Sequence, residues 1–309
     1  MLQQTRVAAV IGHYQEFLRR FPTIEKLAAA RQASVLAAWS GLGYYRRARM
    51  LHAAAKIIAR RRRGKFPATA QELRELPGIG RYTAAAIASI AFCEAVAVVD
   101  GNVERVLLRF LGCSLDREDL WTVAESFLDH GRPGDFNQAL MELGATVCTP
   151  RAPGCLTCPL LDLCATRGEM AASAKTPPQQ KRQIHFILDW RDGNVFLVRR
   201  PRDARLMAGM WELPEMTEFA AHRKQVSRVA QNGKANANGR IINLDTPLFT
   251  VRHSITVTDY TVRVWRKPAP SGVAGRWVPA ERLGRVALTG LTRKILRKAE
   301  ILVAATGPH

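Results

Sequence analysis

The stretch from Leu76 to Asn102 reads LPGIGRYTAAAIASIAFCEAVAVVDGN and predicts the central element of the fold. It begins with a Pro-Gly-x-Gly turn, continues as an alanine-rich helix, and ends at an aspartate, Asp100, that follows an apolar run. Gly78 and Gly80 can adopt backbone angles that other residues avoid, and the helix start that follows them offers exposed amides to a phosphate. Each feature alone is equally consistent with an ordinary helix-turn-helix in which aspartate caps the next helix.

The periodicity of apolar residues changes along the chain and divides it into two parts. Helical spacing predicts helices over 5–18, 35–39, 50–58, 103–111, 120–128 and 136–143, with Thr23 as a helix cap. Residues 165–183, rich in Ala, Lys, Pro and Gln, predict a linker. Beyond it, alternation predicts a β-hairpin over 184–199 with its turn at Asp192-Gly193, strands at 248–251, 255–265 and 277–278, and short helices near 217–230 and 290–303. The sequence thus predicts an all-α part followed by an α+β part.

The chain is strongly basic, with a net charge of +20 over 309 residues. Both halves contribute, since the net charge is +6 over residues 1–165 and +14 over 166–309. A polyanion is the expected partner, and we expect nucleic acid rather than a ribosomal or heparin-like contact. The basic run at 60–65 is typical of a solvated helix end, with phosphate contact as the alternative. No apolar run is long enough for a membrane span, and we expect a cytoplasmic protein that does not bind membranes.

Four cysteines are clustered within 17 residues, with the spacing C-x6-C-x2-C-x5-C at Cys148, Cys155, Cys158 and Cys164. In a reducing compartment such a cluster indicates metal binding rather than disulfides. The spacing fits either a tetrahedral zinc ion or a [4Fe–4S] cluster. Cys93 and Cys113 stand apart, and we expect both to be ordinary buried thiols.

Five segments together resemble the adenine DNA glycosylases of the MutY type, in the helix-hairpin-helix or endonuclease III superfamily. They are LQQT at Leu2–Thr5, GLGYY at Gly41–Tyr45, LPGIGRYTA, VDGNV and the cysteine loop, in the order of the family. The resemblance implies an all-α helix-hairpin-helix glycosylase domain at 1–164 that ends in an iron–sulfur loop. A linker at 165–183 and an α+β Nudix-like domain at 184–309 follow. It also favours a structural [4Fe–4S] cluster over zinc on the four clustered cysteines.

The resemblance assigns catalytic roles to Asp100, Tyr82 and Asn102. Asp100 is expected to stabilise an oxocarbenium-like sugar with help from Asn102, as carboxylates do in glycoside hydrolysis. Bifunctional members have a lysine where this chain has Tyr82, and a phenol cannot form the imine that strand cleavage requires. We therefore expect a monofunctional glycosylase. The alternative for Tyr82 is a core tyrosine that packs on its helix.

Further residues are expected to bind DNA or to read bases. The DNA-binding residues are Gln3, Gln4, Tyr44, Gly78, Gly80 and Arg81, with Gln4 and Tyr44 as wedges in the base stack. Leu2 and Gln138 are expected in the adenine pocket, although Gln138 also fits a helix-surface amide. In the second domain LMAGMWELP at Leu206–Pro214 resembles the family's Nudix-like module, with Trp211 as a core aromatic and no acidic Nudix box. Thr256, His253 and Ser254 are the candidates for 8-oxoguanine recognition, although the loop departs from the family's pattern.

The general acid of the family is a glutamate two positions before the residue that corresponds to Met1. The sequence as written has no carboxyl group at that place, so we expect that the natural chain starts further upstream. A fragment and an inactive protein are the alternatives. The expected function is removal of adenine mispaired with 8-oxoguanine or guanine in double-stranded DNA, by a monomer. A catalytically inactive lesion-binding protein and an endonuclease III-like glycosylase for oxidised pyrimidines remain the alternative functions.

Overall fold

The computed structural model describes Met1, Thr5 and residues 7–168, 180–204, 206–216, 246–255, 258–270 and 272–302. The chain divides into two compact units. We call Ala53–Lys175 the central unit, and Met1–His52 together with Thr176–His309 the outer unit. No helix among the described residues is long and apolar enough to cross a membrane. The predicted helix near 217–230 lies outside the described residues.

The central unit is all-α, as the periodicity predicts. Its helices are the end of α4 (Tyr45–Arg61), α5 (Ala70–Arg74), α6 (Arg81–Phe92), α7 (Gly101–Leu111), α8 (Arg117–Ser126) and α9 (Pro133–Thr146). Two short 3₁₀ turns, Cys155–Thr157 and Leu161–Leu163, follow. Ala84 and Ala88 of α6 have no exposed surface, and a Cβ at Gly134 of α9 would lie 2.7 Å from the Ser89 carbonyl. The small residues of both helices therefore allow close packing.

The outer unit begins with α1 (Val7–Arg20), α2 (Ile24–Ala29), α3 (Gln32–Trp39) and the first turns of α4. Thr23 caps α2 as predicted, since its hydroxyl accepts a hydrogen bond from the Lys26 amide. Within this unit the Ser40 hydroxyl donates to the Leu288 carbonyl at 2.8 Å, and both groups are buried. This contact attaches the N-terminal helices to the C-terminal part of the same unit.

The C-terminal part of the outer unit contains two sheets and α10 (Gly290–Lys298). The first sheet has the order β1 (Gln180–Ile187), β6 (Thr258–Trp265), β5 (Phe249–Ile255), with β1 parallel and β5 antiparallel to β6. In the second sheet β3 (Asn194–Arg199) pairs with β2 (Trp190–Arg191), β4 (Trp211–Glu212) and β7 (Gly275–Pro279). The shared core includes Leu197, Val264, Leu283, Ile295 and Leu296, which have no exposed surface. This part is α+β, as predicted.

The predicted β-hairpin over 184–199 is only partly present. Strands β2 and β3 form it around Asp192 and Gly193, whose φ angles of 46° and 73° fit a tight hairpin turn. Residues 184–187 instead belong to β1, which pairs in parallel with β6 in the other sheet. The chain leaves β1 at Asp189, a buried carboxylate that accepts hydrogen bonds from Arg191 and the Ala269 amide. Alternation of apolar residues indicates a strand but does not indicate its partner. Strand β1 also begins at Gln180, inside the predicted linker.

The expectation that Cys93 and Cys113 are buried is wrong, because both thiols are exposed. Cys93 is the C-cap of α6 and adopts a left-handed conformation with φ 56°. Cys113 directly follows Gly112, the left-handed C-cap of α7. Both cysteines thus lie where a helix ends at the surface, and local composition does not indicate this position.

Candidate active site

The turn before α6, which contains Gly78 and Gly80, faces open space at Gly80. Gly78 has a φ of 81°, a left-handed conformation that disfavours any residue with a side chain. Gly80 is the N-cap of α6, and a Cβ built on it meets no atom within 4 Å. A side chain at position 80 would therefore not clash with the rest of the described protein. The open space in front of this helix start suits the close approach of an anionic ligand.

Arg81, the first residue of α6, is held by α8 in the same unit. Its guanidinium carbon lies 4.0 Å from the centroid of the Trp121 ring, and its Nη1 donates to Glu118 Oε2 at 2.8 Å. Both members of this ion pair are substantially exposed, so the pair is weak and can exchange for a phosphate. Arg81 is thus oriented beside the turn while its charge remains accessible.

Asp100 is the N-cap of α7, and its carboxylate is fixed by three donors. Oδ1 accepts hydrogen bonds from the amides of Asn102 and Val103, both at 2.8 Å. Oδ2 accepts a hydrogen bond from the Asn102 side-chain amide at 3.3 Å. The carboxylate is half-buried. The structure therefore combines the two interpretations of the sequence, because a helix-capping aspartate is at the same time an oriented and accessible negative charge.

Tyr82 lies near Asp100 and remains a neutral phenol. Partial burial raises the pKa of Tyr82 above its usual value, and the negative charge of Asp100 raises it further. Its hydroxyl donates to the sulfur of Met141 at 3.8 Å, a weak contact. The ring packs against the apolar core of the central unit. Tyr82 is thus both a packing residue and a polar neighbour of the Asp100 carboxylate.

Arg105 connects Asn102 to the cysteine loop, and the sequence analysis does not identify it. Its Nη2 donates to Asn102 Oδ1 at 2.8 Å, and its Nε donates to the carbonyl of Cys148 at 2.8 Å. Nη2 also donates to the carbonyl of Gly144. A Cβ at Gly144 would lie 2.7 Å from that of Asn102, so α7 and α9 approach closely here. The i, i+3 spacing of Asn102 and Arg105 is the signal that could have indicated this pair.

Gln138, expected in the adenine pocket, is an exposed helix residue whose Nε2 donates to the Gly134 carbonyl in its own helix at 3.2 Å. Its neighbour Asn137 is buried and was not predicted. Asn137 accepts a hydrogen bond from the Val98 amide at 3.0 Å and donates to the Val96 carbonyl at 2.9 Å. Asn137 therefore fixes the extended segment that leads into Asp100.

The four clustered cysteines line one largely apolar cavity in the central unit, together with Arg109. Arg109 is buried, and its Nη1 donates to the Cys148 sulfur at 3.4 Å and to the Thr149 carbonyl at 2.7 Å. Among the described residues, no three Cys, His, Asp or Glu side chains could hold a metal ion. The structure thus gathers the four clustered thiols around one cavity.

Tyr44 of the outer unit is a candidate DNA contact with unusual geometry. It has a φ of 45° and its side chain is 48% exposed. The guanidinium of Arg47 lies 5.2 Å from the Tyr44 ring centroid and 5.6 Å from that of Trp39. A bulky residue in the left-handed region that also exposes its ring is typical of a functional position. Leu2, Gln3 and Gln4 lie outside the described residues.

The candidates for base recognition in the C-terminal part lie at the end of β5. His253 is partly buried, and burial lowers its pKa, with a further lowering by the charge of Lys294. The Ser254 hydroxyl donates to Asp259 Oδ1 at 2.5 Å, so it can only accept a further hydrogen bond. Thr256 lies outside the described residues. Trp211, expected in the core, packs against it but remains partly exposed.

Comparison with known proteins gives two domain matches. Residues 1–122 match the family model of the HhH-GPD superfamily of base excision DNA repair proteins. Residues 185–298 match the NUDIX domain model. Among solved structures, a thermostable thymine-DNA glycosylase is similar with a TM-score of 0.51 and 30% identity, over 54% of this chain and 79% of that chain.

Two curated relatives match almost the whole chain. The adenine DNA glycosylase of Mus musculus is 34% identical over 97% of this chain and 70% of its own length. That of Homo sapiens is 33% identical over 96% of this chain and 66% of its own length. The similarity to both relatives spans the helical and the Nudix-like parts of the chain. The chain therefore belongs to the adenine DNA glycosylase family.

Proposed function

We propose that this base-excision repair hydrolase is a monofunctional glycosylase that hydrolyses the N-glycosidic bond of adenine opposite 8-oxoguanine or guanine. The observation that carries the proposal is the Asp100 carboxylate, oriented by three donors at the start of α7. Neutral Tyr82 lies beside it. The enzyme acts on double-stranded DNA, with the adenine extruded from the base stack.

The reaction breaks the bond between adenine and the sugar, and the bonding electrons leave with the base. Positive charge then develops on the sugar, and a fixed negative charge stabilises that cation without reorganisation. Asp100 supplies the charge, and Asn102 holds one of its oxygens. The departing adenine requires a proton from a second acid.

DNA binding is proposed for the turn at Gly78–Arg81 and for the wedge residues Gln3, Gln4 and Tyr44. The open space at Gly80 and the exposed charge of Arg81 support backbone contact by the turn. Leu2 and Gln138 are proposed for the adenine pocket. His253, Ser254 and Thr256 are proposed for 8-oxoguanine. Burial and the charge of Lys294 lower the pKa of His253, which favours the neutral imidazole that can accept as well as donate a hydrogen bond.

We propose that Cys148, Cys155, Cys158 and Cys164 hold a [4Fe–4S] cluster. The apolar cavity that they share supports this assignment, together with the guanidinium of Arg109, which donates a hydrogen bond to the Cys148 sulfur and can orient it as a ligand. The cluster would tie together a loop that otherwise contains only two 3₁₀ turns. Its role is structural.

The domain boundaries also remain proposals. We assign residues 1–164 to the glycosylase domain, 165–183 to a linker and 184–309 to the Nudix-like domain. The family models support the two functional parts, since they match 1–122 and 185–298. The compact units divide the chain differently, at His52 and at Lys175.

The proposed activity is tested with synthetic duplexes that carry adenine opposite 8-oxoguanine, guanine, cytosine or thymine. We expect the enzyme to produce an abasic site in the first two duplexes. Hot alkali should then cleave the strand at that site, whereas the enzyme alone should not. Borohydride should trap no covalent adduct, because Tyr82 cannot form an imine. Excision from a thymine-glycol duplex instead would favour the pyrimidine alternative. Tight binding of the 8-oxoguanine duplex with no abasic product would favour an inactive binding protein.

A matched pair of glycine variants tests DNA binding by the turn. Gly80→Ser should leave the melting temperature unchanged or slightly higher, because serine caps helices well and its Cβ has open space. It should nevertheless weaken duplex binding about tenfold, because the side chain occupies the approach to the helix start. Gly78→Ser should instead lose about 1–2 kcal/mol of folding stability, because of its positive φ. Unchanged DNA affinity of Gly80→Ser would contradict contact at this turn.

Arg105→Met should slow adenine excision about 10- to 100-fold in single turnover. Methionine keeps an unbranched apolar side chain at this position but removes the charged donors to Asn102 and to the Cys148 carbonyl. The Asn102 side chain then loses the contact that orients it toward Asp100 Oδ2, while the two backbone amides still bind Oδ1. Iron content, measured on the same preparation, separates an effect on the active site from loss of the cluster. Full activity of the variant would show that the Asn102 contact has no positioning role.

A further inference from the structure

Positive charge is concentrated in the outer unit, at residues that do not belong to the candidate active site. The charge surrounds a cavity of about 510 Å³ that we call the arginine cavity. Five arginines line it: Arg49, Arg199, Arg202, Arg276 and Arg285. Its remaining lining residues are small, apolar or uncharged, including Gln32 and Trp211, and none of the lining residues is acidic.

The five arginines lack carboxylate partners in the described part of the chain, where the ion pairs involve other arginines. The carboxylate of Glu212, which follows Trp211 in β4, accepts two hydrogen bonds from Arg200 at 2.8 and 2.9 Å. Glu212 and Trp211 are consecutive in β4, so their side chains point to opposite faces of the sheet. The positive charge in the arginine cavity is therefore not neutralised by an ion pair.

Three of the arginines are held in place by the wall of the cavity. The Arg276 guanidinium carbon lies 4.1 Å from the Trp211 ring centroid, and that of Arg199 lies 5.8 Å from it. Arg199 Nε donates to the Gly209 carbonyl at 3.1 Å, and Arg49 Nη2 donates to the Ala208 carbonyl. These contacts leave most of the guanidinium donors without a hydrogen-bond partner in the described part of the chain, and they orient the side chains before any ligand binds.

Arg49 carries a further indication of a ligand. Its Nε is buried and has no hydrogen-bond partner among the described residues. A buried donor without an acceptor costs about 1–3 kcal/mol, and such atoms are uncommon in folded proteins. An acceptor oxygen that reaches this atom would satisfy it, and an anion bound in the cavity would reduce the repulsion between the like charges of the five arginines.

We propose that the arginine cavity binds adjacent phosphate groups. Planar guanidinium groups pair with phosphate oxygens through two parallel hydrogen bonds, and a recess of several hundred Å³ accommodates a ligand the size of a nucleotide. Two sources present this chemistry: a free nucleoside polyphosphate and the backbone of DNA. The proposal does not depend on the glycosylase activity, because no residue of the arginine cavity belongs to the candidate active site.

The first test is calorimetric titration of the full-length protein with inorganic pyrophosphate. Arg285→Gln and Arg276→Gln should each weaken binding about tenfold, since each removes a charge-assisted pair. Arg282→Gln is the matched control, because Arg282 is exposed, lies in the same 3₁₀ helix as Arg285 (Ala280–Arg285) and does not line the cavity. Its affinity should stay within about twofold of the parent. Equal losses in all three variants would show a general charge effect and overturn the proposal.

The second test identifies the source of the phosphate groups. The affinity for an undamaged duplex is measured at several salt concentrations for the parent, Arg285→Gln and Arg282→Gln. A backbone contact at Arg285 predicts a salt slope smaller by about one in that variant alone. An unchanged slope, with weakened pyrophosphate binding, assigns the cavity to a free polyphosphate. If the parent does not bind pyrophosphate and all slopes agree, the arginine cavity is no phosphate site.

Discussion

Asp100→Asn should reduce adenine excision in single turnover about a thousandfold or more, while the protein stays folded. Asparagine caps a helix as well as aspartate does, so its side-chain oxygen can still accept from the amides of Asn102 and Val103. What the variant loses is the negative charge. Electrostatic stabilisation of a developing cation is usually the largest contribution to such a reaction. The loss should therefore appear in the rate and not in the melting temperature.

The chain provides a matched control for this experiment. Asp116 is the N-cap of α8 and accepts a hydrogen bond from the Asp119 amide at 2.9 Å. Asp116→Asn makes the same exchange at another helix start of the same unit, and it should leave excision within about twofold. Binding to the 8-oxoguanine duplex, measured for both variants, should be retained. Parent-like excision by Asp100→Asn would refute the assignment of Asp100.

The predictable features of this fold are those that one local segment specifies. The spacing of apolar residues predicts the last three helices of the central unit, α7 to α9, with ends that differ from the observed ones by up to about three positions, but it does not predict the short helix α5. The positive φ of Gly78 follows from a Pro-Gly-x-Gly turn. Asp100 could be identified because an apolar run leads into it and because a motif of the family surrounds it. Its cap hydrogen bonds follow from the same two residues that define the motif, Asn102 and Val103.

Features that depend on distant segments could not be predicted. Strand β1 has its partner, β6, more than seventy positions along the chain, and alternation does not specify that pairing. Arg105 is one of many arginines, and its contact to Cys148 exists only because α7 packs on α9. The arginine cavity likewise combines residues from α3, α4 and several strands. In each case the sequence shows the strand or the charged residue but not the neighbours that it contacts in the fold.

Cys158→Ser should remove most of the visible absorbance and the iron from the purified protein, with about a tenfold or greater loss of soluble material. Cys158 lies between the two 3₁₀ turns, at the C-cap of the first. Serine is a much poorer ligand for an iron–sulfur cluster than a thiolate, and loss of a structural metal group removes folding free energy from the loop that holds it. Excision and DNA binding should then fall together, because the loop contacts Arg105 and Arg109 through the residues after α9.

Cys93→Ser is the control, since the Cys93 thiol is exposed at the end of α6 and does not line the cavity that the four clustered cysteines share. This variant should keep the iron, the absorbance and the activity of the parent. Elemental analysis of the parent distinguishes the two metal alternatives that the cysteine spacing allows. Zinc without iron would refute the cluster. Iron that is retained in Cys158→Ser but lost in Cys93→Ser would place the metal outside the cavity, contrary to the four-cysteine assignment.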